Sequence, residues 1–129
     1  MALSSILDKV MAHGKGYVEL SGSFRPNGTS AVDNDLNTGT GFSVTRFDVG
    51  EFRITLEETW PELVCATFQV QVSSVTDSSI EITNTVDVTS SPATIDIIHL
   101  AAGVGADIAD GAGNRIHFRL TLRQTDVKK

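Results

Sequence analysis

Three arginines at the end of the chain have the type and spacing that best suit a binding role. Arg115, Arg119 and Arg123 are separated by even numbers of residues, so on a β-strand they share one face. Such a basic stripe could bind an acidic partner surface or a neighbouring subunit. It could also form cross-strand ion pairs within the protein; the candidates for those pairs are Glu51, Glu57 and Glu81.

The overall charge argues against nucleic acid as the partner of this stripe. The chain has 10 Lys and Arg against 16 Asp and Glu, which gives a formal net charge of −6. An acidic protein without a basic run repels the phosphate backbone over most of its surface. We therefore expect no nucleic-acid binding.

An oxygen-rich loop offers the only spacing that suits a hard cation. Asp33, Asp35 and Asn37 alternate, as calcium ligands do in helix–loop–helix proteins. That motif also needs Gly at its sixth position and Glu at its twelfth, where this chain has Thr38 and Val44. The sequence therefore predicts a polar turn and no metal site.

Catalytic motifs are not evident. His13, His99 and His117 are scattered and are expected to be ordinary surface or partly buried side chains. The segment 41–45 (GFSVT) lacks the second Gly of a nucleophile elbow. Cys65 lies in a strand-like segment and is expected to act as a small apolar side chain. These features predict a protein that is not an enzyme and needs no cofactor.

Trp60 is the one large aromatic residue that interrupts the strand pattern, together with Pro61. It could form a corner of the core, which we favour. It could also be an exposed contact, since an exposed Trp is a natural anchor for a partner or a sugar ring.

The elements that must position these residues are β-strands. Val, Ile, Thr and Ser are abundant, and glycines cluster between apolar runs. Alternating apolar and polar residues predict about seven strands and an all-β fold, an antiparallel β-sandwich or jelly-roll-like domain. The predicted strands are 17–24, 42–48, 51–57, 64–72, 80–88, 95–100 and 115–123.

The small residues at 101–114 predict no strand. In the predicted strands, the alternation also indicates which side chains face the core. In the last strand the buried set is Ile116, Phe118, Leu120 and Leu122. In the fourth strand the buried set is Val64, Ala66, Phe68, Val70 and Val72.

The N-terminal segment follows a helical pattern instead. Leu3, Ile6, Leu7 and Val10 have the i, i+3, i+4, i+7 spacing of one helical face. A short helix is marginal alone, so residues 1–15 are expected to form an arm that packs on its own domain or on a neighbouring subunit. Residues 16–124 would form the β-domain and 125–129 a charged tail.

Targeting and redox features are few. No apolar stretch approaches a membrane span, and the N-terminus lacks the basic region of a signal peptide. The single Cys excludes an internal disulfide. We expect one acidic domain, made in a reducing compartment and without a membrane partner.

Several phrases of the chain resemble small structural proteins of tailed bacteriophages, the group that includes capsid decoration or cement proteins. The phrases are GSFRPNGTS at 22–30, GTGFSVTR at 39–46, VGEFRITL at 49–56, WPELV at 60–64, ADIA at 106–109 and GNRIHF at 113–118.

The resemblance implies a β-rich particle component that acts by contact and carries no catalytic residues. Its expected partners are copies of itself, commonly in a trimer, and the phage major capsid protein. Its expected location is the capsid surface of the virion, after synthesis in the bacterial host cytoplasm. A tail, baseplate or head-spike module and a carbohydrate-binding β-sandwich remain as alternatives.

Overall fold

The structure is a computed structural model and describes residues 16–74 and 77–124. These residues form two antiparallel sheets, which confirms the all-β prediction and is consistent with a β-sandwich. The strands are β1 (Tyr17–Phe24), β2 (Phe42–Asp48), β3 (Glu51–Leu56), β4 (Glu62–Gln71), β5 (Ser78–Asp87), β6 (Ala93–Ala101), β7 (Val104–Gly105) and β8 (Arg115–Arg123), with a 3₁₀ turn at Asn34–Leu36.

One sheet has the order β1-β8-β4 and the other has the order β2-β3-β6-β5, with the short β7 paired to β6. The predicted N-terminal arm (1–15) and tail (125–129) lie outside the described residues. Within the described ranges, no helix is long and apolar enough to cross a bilayer.

The core lies between the sheets and is built by the predicted alternation. Ile116, Leu120 and Leu122 are fully buried on β8, and Phe118 is nearly so. Phe118 and Phe42 of the opposite sheet pack in a T-shaped arrangement, with ring centroids 4.8 Å apart. Such edge-to-face aromatic contacts add to simple area burial, so they help to fix how the sheets face one another.

The fourth strand departs from the predicted alternation at its start. The register between β4 and β8 shifts between Leu63 and Cys65, which marks a β-bulge. Val64, predicted to be buried, is 43% exposed, and Leu63 packs against the core instead. The prediction for Val64 is therefore wrong, because one extra residue in a strand reverses the faces of its neighbours.

The small-residue stretch at 101–114 is also more structured than predicted, since β7 lies inside it. This stretch packs under the β2–β3 turn at Gly50, which has a positive φ of +69°. A Cβ at Gly50 would lie 2.7 Å from both the Ala106 nitrogen and the His99 carbonyl oxygen. Only glycine fits this turn without displacing the backbone.

Candidate partner-binding groove

The predicted arginine stripe lies on the outer face of the three-stranded sheet. Two of its members, Arg115 and Arg119, line an open groove of about 970 Å³ there. The groove crosses all three strands, and the loop before β2 forms one rim. Its lining residues are Ser21, Gly22, Ser23, Thr38, Gly39, Thr67, Phe68, Gln69, Arg115, His117, Phe118 and Arg119.

The polar rows of this face follow from the strand register. Arg119 is paired with Ser21 of β1 on one side and with Thr67 of β4 on the other. The next row places His117 between Ser23 and Gln69 in the same way. Because side chains alternate between the faces of a strand, the apolar residues of β8 fill the core while its polar residues face this groove.

Arg115 is held by the protein itself. Its Nε donates to Ser23 Oγ at 3.1 Å, and its terminal nitrogen donates to the Leu36 carbonyl at 2.9 Å. The same nitrogen lies 3.3 Å from Thr38 Oγ1. These contacts tie the 25–41 loop to the sheet, so Arg115 positions the rim of the groove.

Arg123 forms a cross-strand ion pair, which is one of the two alternatives considered for the stripe, but its partner differs from the candidates named from the sequence. Its guanidinium lies 2.7 Å from a Glu62 carboxylate oxygen, and Glu62 is its register neighbour on β4. The predicted partners Glu51 and Glu81 are wrong, because they lie on β3 and β5 of the opposite sheet. Glu57 follows β3 outside both sheets, and no ion pair joins it to an arginine of the stripe among the described residues.

Arg119 differs from the other two arginines. It is exposed, and no ion pair or side-chain hydrogen bond joins it to another described residue. Its neighbour His117 donates from Nε2 to Gln71 Oε1 at 2.7 Å. Arg119 is therefore the cation of the groove that an external anion could bind without first breaking an internal pair.

Trp60 packs against the core at the end of β3 and is half-buried. Its backbone N–H donates to the Val88 carbonyl at 2.7 Å. Its indole nitrogen is buried and has no hydrogen-bond partner among the described residues. This location agrees with the core interpretation and leaves the indole poorly placed for stacking on a sugar ring.

A second, smaller cavity of about 190 Å³ contains a buried histidine that the sequence did not indicate. His99, expected on the surface or partly buried, is only 3% exposed. Its Nδ1 lies 2.6 Å from the Ala106 carbonyl, which can only accept, so Nδ1 carries the hydrogen. In the neutral ring Nε2 then accepts from the Ser78 hydroxyl at 3.0 Å.

A serine hydroxyl bonded to a histidine is also the arrangement of an activated nucleophile. Acyl transfer additionally needs free N–H donors for the oxyanion. The nearby Asn114 amide already donates to the Ala109 carbonyl and accepts from the Ser73 N–H. The polar groups of Asn114 are thus engaged within the protein. Together with the two hydrogen bonds of His99, these contacts join β5, β6 and the 101–114 stretch to one another.

Two long-range ion pairs that involve arginines of the second sheet also lay beyond the sequence patterns. Arg53 binds Asp96 with two hydrogen bonds of 2.8 and 3.0 Å. Arg46 binds Asp107 in the same bidentate way, and the Gly50 N–H donates to the Asp107 carboxylate. The hydrogen bond from Arg46 lowers the pKa of Asp107, which outweighs the raising effect of partial burial.

The remaining candidates are distributed as follows. Asp33 caps the 3₁₀ turn by accepting from the Asp35 N–H, so the oxygen-rich loop forms a polar turn. Within 16–74 and 77–124, no three His, Cys, Asp or Glu side chains are arranged to hold a metal ion. Leu3, Ile6, Leu7 and Val10 lie outside the described residues.

Comparison with known proteins adds no relative: no protein family, no curated protein and no solved structure matches this chain.

Proposed function

We propose that the protein is a structural component of a bacteriophage particle: a capsid decoration protein that binds the outer head and stabilises it by contact. The chain phrases that resemble such proteins support this proposal. The groove on the outer face of the three-stranded sheet supports a contact role independently, because it places cationic side chains on an otherwise acidic chain.

The observation that carries the proposal is the state of Arg119. An exposed guanidinium that no described carboxylate neutralises is available to an acidic patch on a capsid subunit. Binding there would place the outer face of β1, β8 and β4 against the shell as a contact platform. Complementary charge would speed association and fix orientation, while packing along the platform would supply most of the affinity.

Stabilisation by such a protein is a mass-action effect. A ligand that binds the intact shell but not its dissociated subunits shifts the equilibrium toward the shell. Many copies on one head act together, so weak single contacts suffice. Self-association of the protein would add to this avidity; the trimer implied by the resemblance is one form of it.

The test is co-sedimentation of the purified protein with expanded, empty heads of the phage that encodes it. We expect saturable binding to heads and an increase in the temperature at which the heads break apart. Absence of binding to heads, with binding to purified tails from the same phage, would contradict the decoration role and favour the tail or baseplate alternative.

The carbohydrate-binding alternative depends on an exposed Trp60. Because the Trp60 indole packs against the core, that alternative has less support. A glycan array with strong signals that Trp60→Ala abolishes, in a protein that remains folded, would restore it.

A further inference from the structure

We infer that the free edge of β4 is a self-association surface, on which a second copy of this chain adds its own β4 in antiparallel orientation. The inference goes beyond the proposed function, because it concerns the protein in solution and needs no capsid. It rests on how the four outer strands of the two sheets are protected.

Three of the four outer strands carry a device that blocks further pairing. Beside β1, Ser23 exchanges two backbone hydrogen bonds of 2.9 Å with Thr38. Beside β2, the Asn34 side chain accepts from the Val44 N–H at 2.8 Å and donates to the Val44 carbonyl at 3.1 Å. The 25–41 loop therefore occupies backbone groups of both β1 and β2 that a neighbouring strand would need.

The third protected strand is β5. Its register to β6 shifts between Ile82 and Val86, so an irregular segment interrupts the strand. It also carries Glu81 and Asp87. Bulges and charged side chains are the usual means by which outer strands avoid pairing with other chains.

The edge of β4 has little comparable protection. Its bulge lies at the start of the strand, next to Leu63, and residues 63–72 (LVCATFQVQV) contain no charged residue and no proline. Among the described residues, β8 is the only strand that pairs with β4. A long, uncharged, unpaired strand edge is a template for strand addition.

The hydrogen-bond pattern identifies the groups that this edge offers. The backbone N–H and C=O groups of Ser23 bond to Thr38, on the side of β1 away from β8. Because successive residues of an antiparallel strand bond alternately to its two sides, the even-numbered residues of β1 bond to β8. By the same alternation, the even-numbered residues of β8 bond to β1 and its odd-numbered residues bond to β4. Ala66, Phe68 and Val70 lie opposite even-numbered residues of β8, so their N–H and C=O groups point away from β8.

A second copy of the chain can pair with all three of these residues at once. With Phe68 at the two-fold axis, Ala66 of one copy lies opposite Val70 of the other, and Phe68 lies opposite Phe68. This isologous pairing creates no like-charge contact along 63–72, because the segment carries no charge. It also covers apolar side chains that the single chain leaves only partly buried on the core face of β4.

The pairing would double the groove as well. Thr67 and Gln69 form one wall of the groove on each copy, so two grooves would become continuous across the axis. A two-fold pair differs from the trimer that the resemblance implies, and the two have different masses.

The test is the mass of the full-length protein by sedimentation equilibrium over a wide concentration range. We expect reversible association to twice the chain mass of 13.8 kDa. A monomer at all concentrations, or a closed trimer, would overturn the inference.

Charge substitutions on the outer face test the register. In the proposed pair, Thr67 of one copy faces Gln69 of the other, so T67K/Q69K sets like charges opposite each other and should weaken the pair about tenfold or more. The matched double variant T67K/Q69E sets opposite charges there and should keep the pair. If both variants associate equally well, or both dissociate, the proposed register is wrong.

Two controls separate loss of pairing from loss of folding. Ser43→Lys places one lysine at an exposed position of β2, on the other sheet. It should leave the association state measured by sedimentation unchanged. All variants should unfold within a few degrees of the parent protein.

A spin label on Cys65, the single cysteine, gives an independent distance. In the proposed register, Cys65 of one copy is offset by six residues from Cys65 of the other along the strand direction. At about 3.3 Å per residue, and with the length of the label arms added, the two labels should be roughly 20 to 30 Å apart. A concentration-dependent dimer that shows no distance in this range would overturn the use of the β4 edge.

Discussion

The guanidinium of Arg46 binds the carboxylate of Asp107 through two hydrogen bonds of 2.9 Å, although 61 residues separate them in the chain. The Gly50 N–H donates to the same carboxylate at 2.9 Å. Asp107 thus holds the β2–β3 turn against the 101–114 stretch. Because Asp107 is mostly buried, this contact should matter more than an exposed ion pair.

Asp107→Asn tests that contact. The amide keeps the shape but loses the charge and one bidentate acceptor, so we expect the free energy of unfolding to fall by about 1–2 kcal/mol. Asp110→Asn is the matched control, since Asp110 pairs with Arg25 but is 54% exposed; it should cost less than about 1 kcal/mol. Urea unfolding measures both, and equal costs would contradict the assigned role of Asp107.

The acid sensitivity of the fold should report on the same residue. Because the pKa of Asp107 is lowered in the folded protein, ionised Asp107 stabilises the fold above the ordinary carboxyl pKa of about 4. That stability is lost as the pH falls from about 4 through the lowered value.

The difference in unfolding free energy between the parent protein and Asp107→Asn should therefore shrink as the pH falls over this window. Asp87, whose pKa is also lowered, by hydrogen bonds from Ser90 and Thr89, is present in both proteins and cancels. Unfolding curves at several pH values check this, and a difference that grows toward low pH would contradict it.

Gly50 should tolerate alanine poorly, and much less well than Gly28 does. Gly50→Ala requires a positive φ and forces a methyl group to 2.7 Å from backbone atoms, so we expect a loss of about 3 kcal/mol or more. Gly28 also has a positive φ, but apart from its own chain neighbours no atom lies within 4 Å of the place that an alanine methyl group would take there. Gly28→Ala should cost about 1 kcal/mol, and thermal unfolding distinguishes the two.

The bulge in β4 can be tested by the same approach. Val64→Ala should change stability by less than about 0.5 kcal/mol because the side chain is exposed. Leu63→Ala should cost about 1–2 kcal/mol because Leu63 packs against the core. The reverse order would mean that the strand follows the uninterrupted alternation.

The strands were predictable because successive side chains of a strand point to opposite faces, so that the alternation of apolar and polar residues is visible in the local sequence. The bounds of β1, β2 and β8 agree with the sequence prediction residue for residue. The bulge at Val64 was not predictable, since an extra residue leaves no mark on an apolar run such as Leu63-Val64.

The candidate site was predictable only in part. The even spacing of Arg115, Arg119 and Arg123 placed them correctly on one exposed face of β8. It could not tell which arginine is engaged by the protein, because that depends on the 25–41 loop reaching Arg115 and on Glu62 lying beside Arg123. The burial of His99 likewise depends on the 101–114 stretch, whose small residues give no structural signal in the sequence.

The central claim is that Arg119 binds an acidic surface of the capsid, and the decisive measurement is co-sedimentation of Arg119→Gln with expanded heads. Arg25→Gln is the matched control, because it removes the same charge from a residue outside the groove. We predict that Arg119→Gln weakens head binding about tenfold or more, more strongly at low salt, while Arg25→Gln binds like the parent protein. Equal binding by both variants would contradict the account.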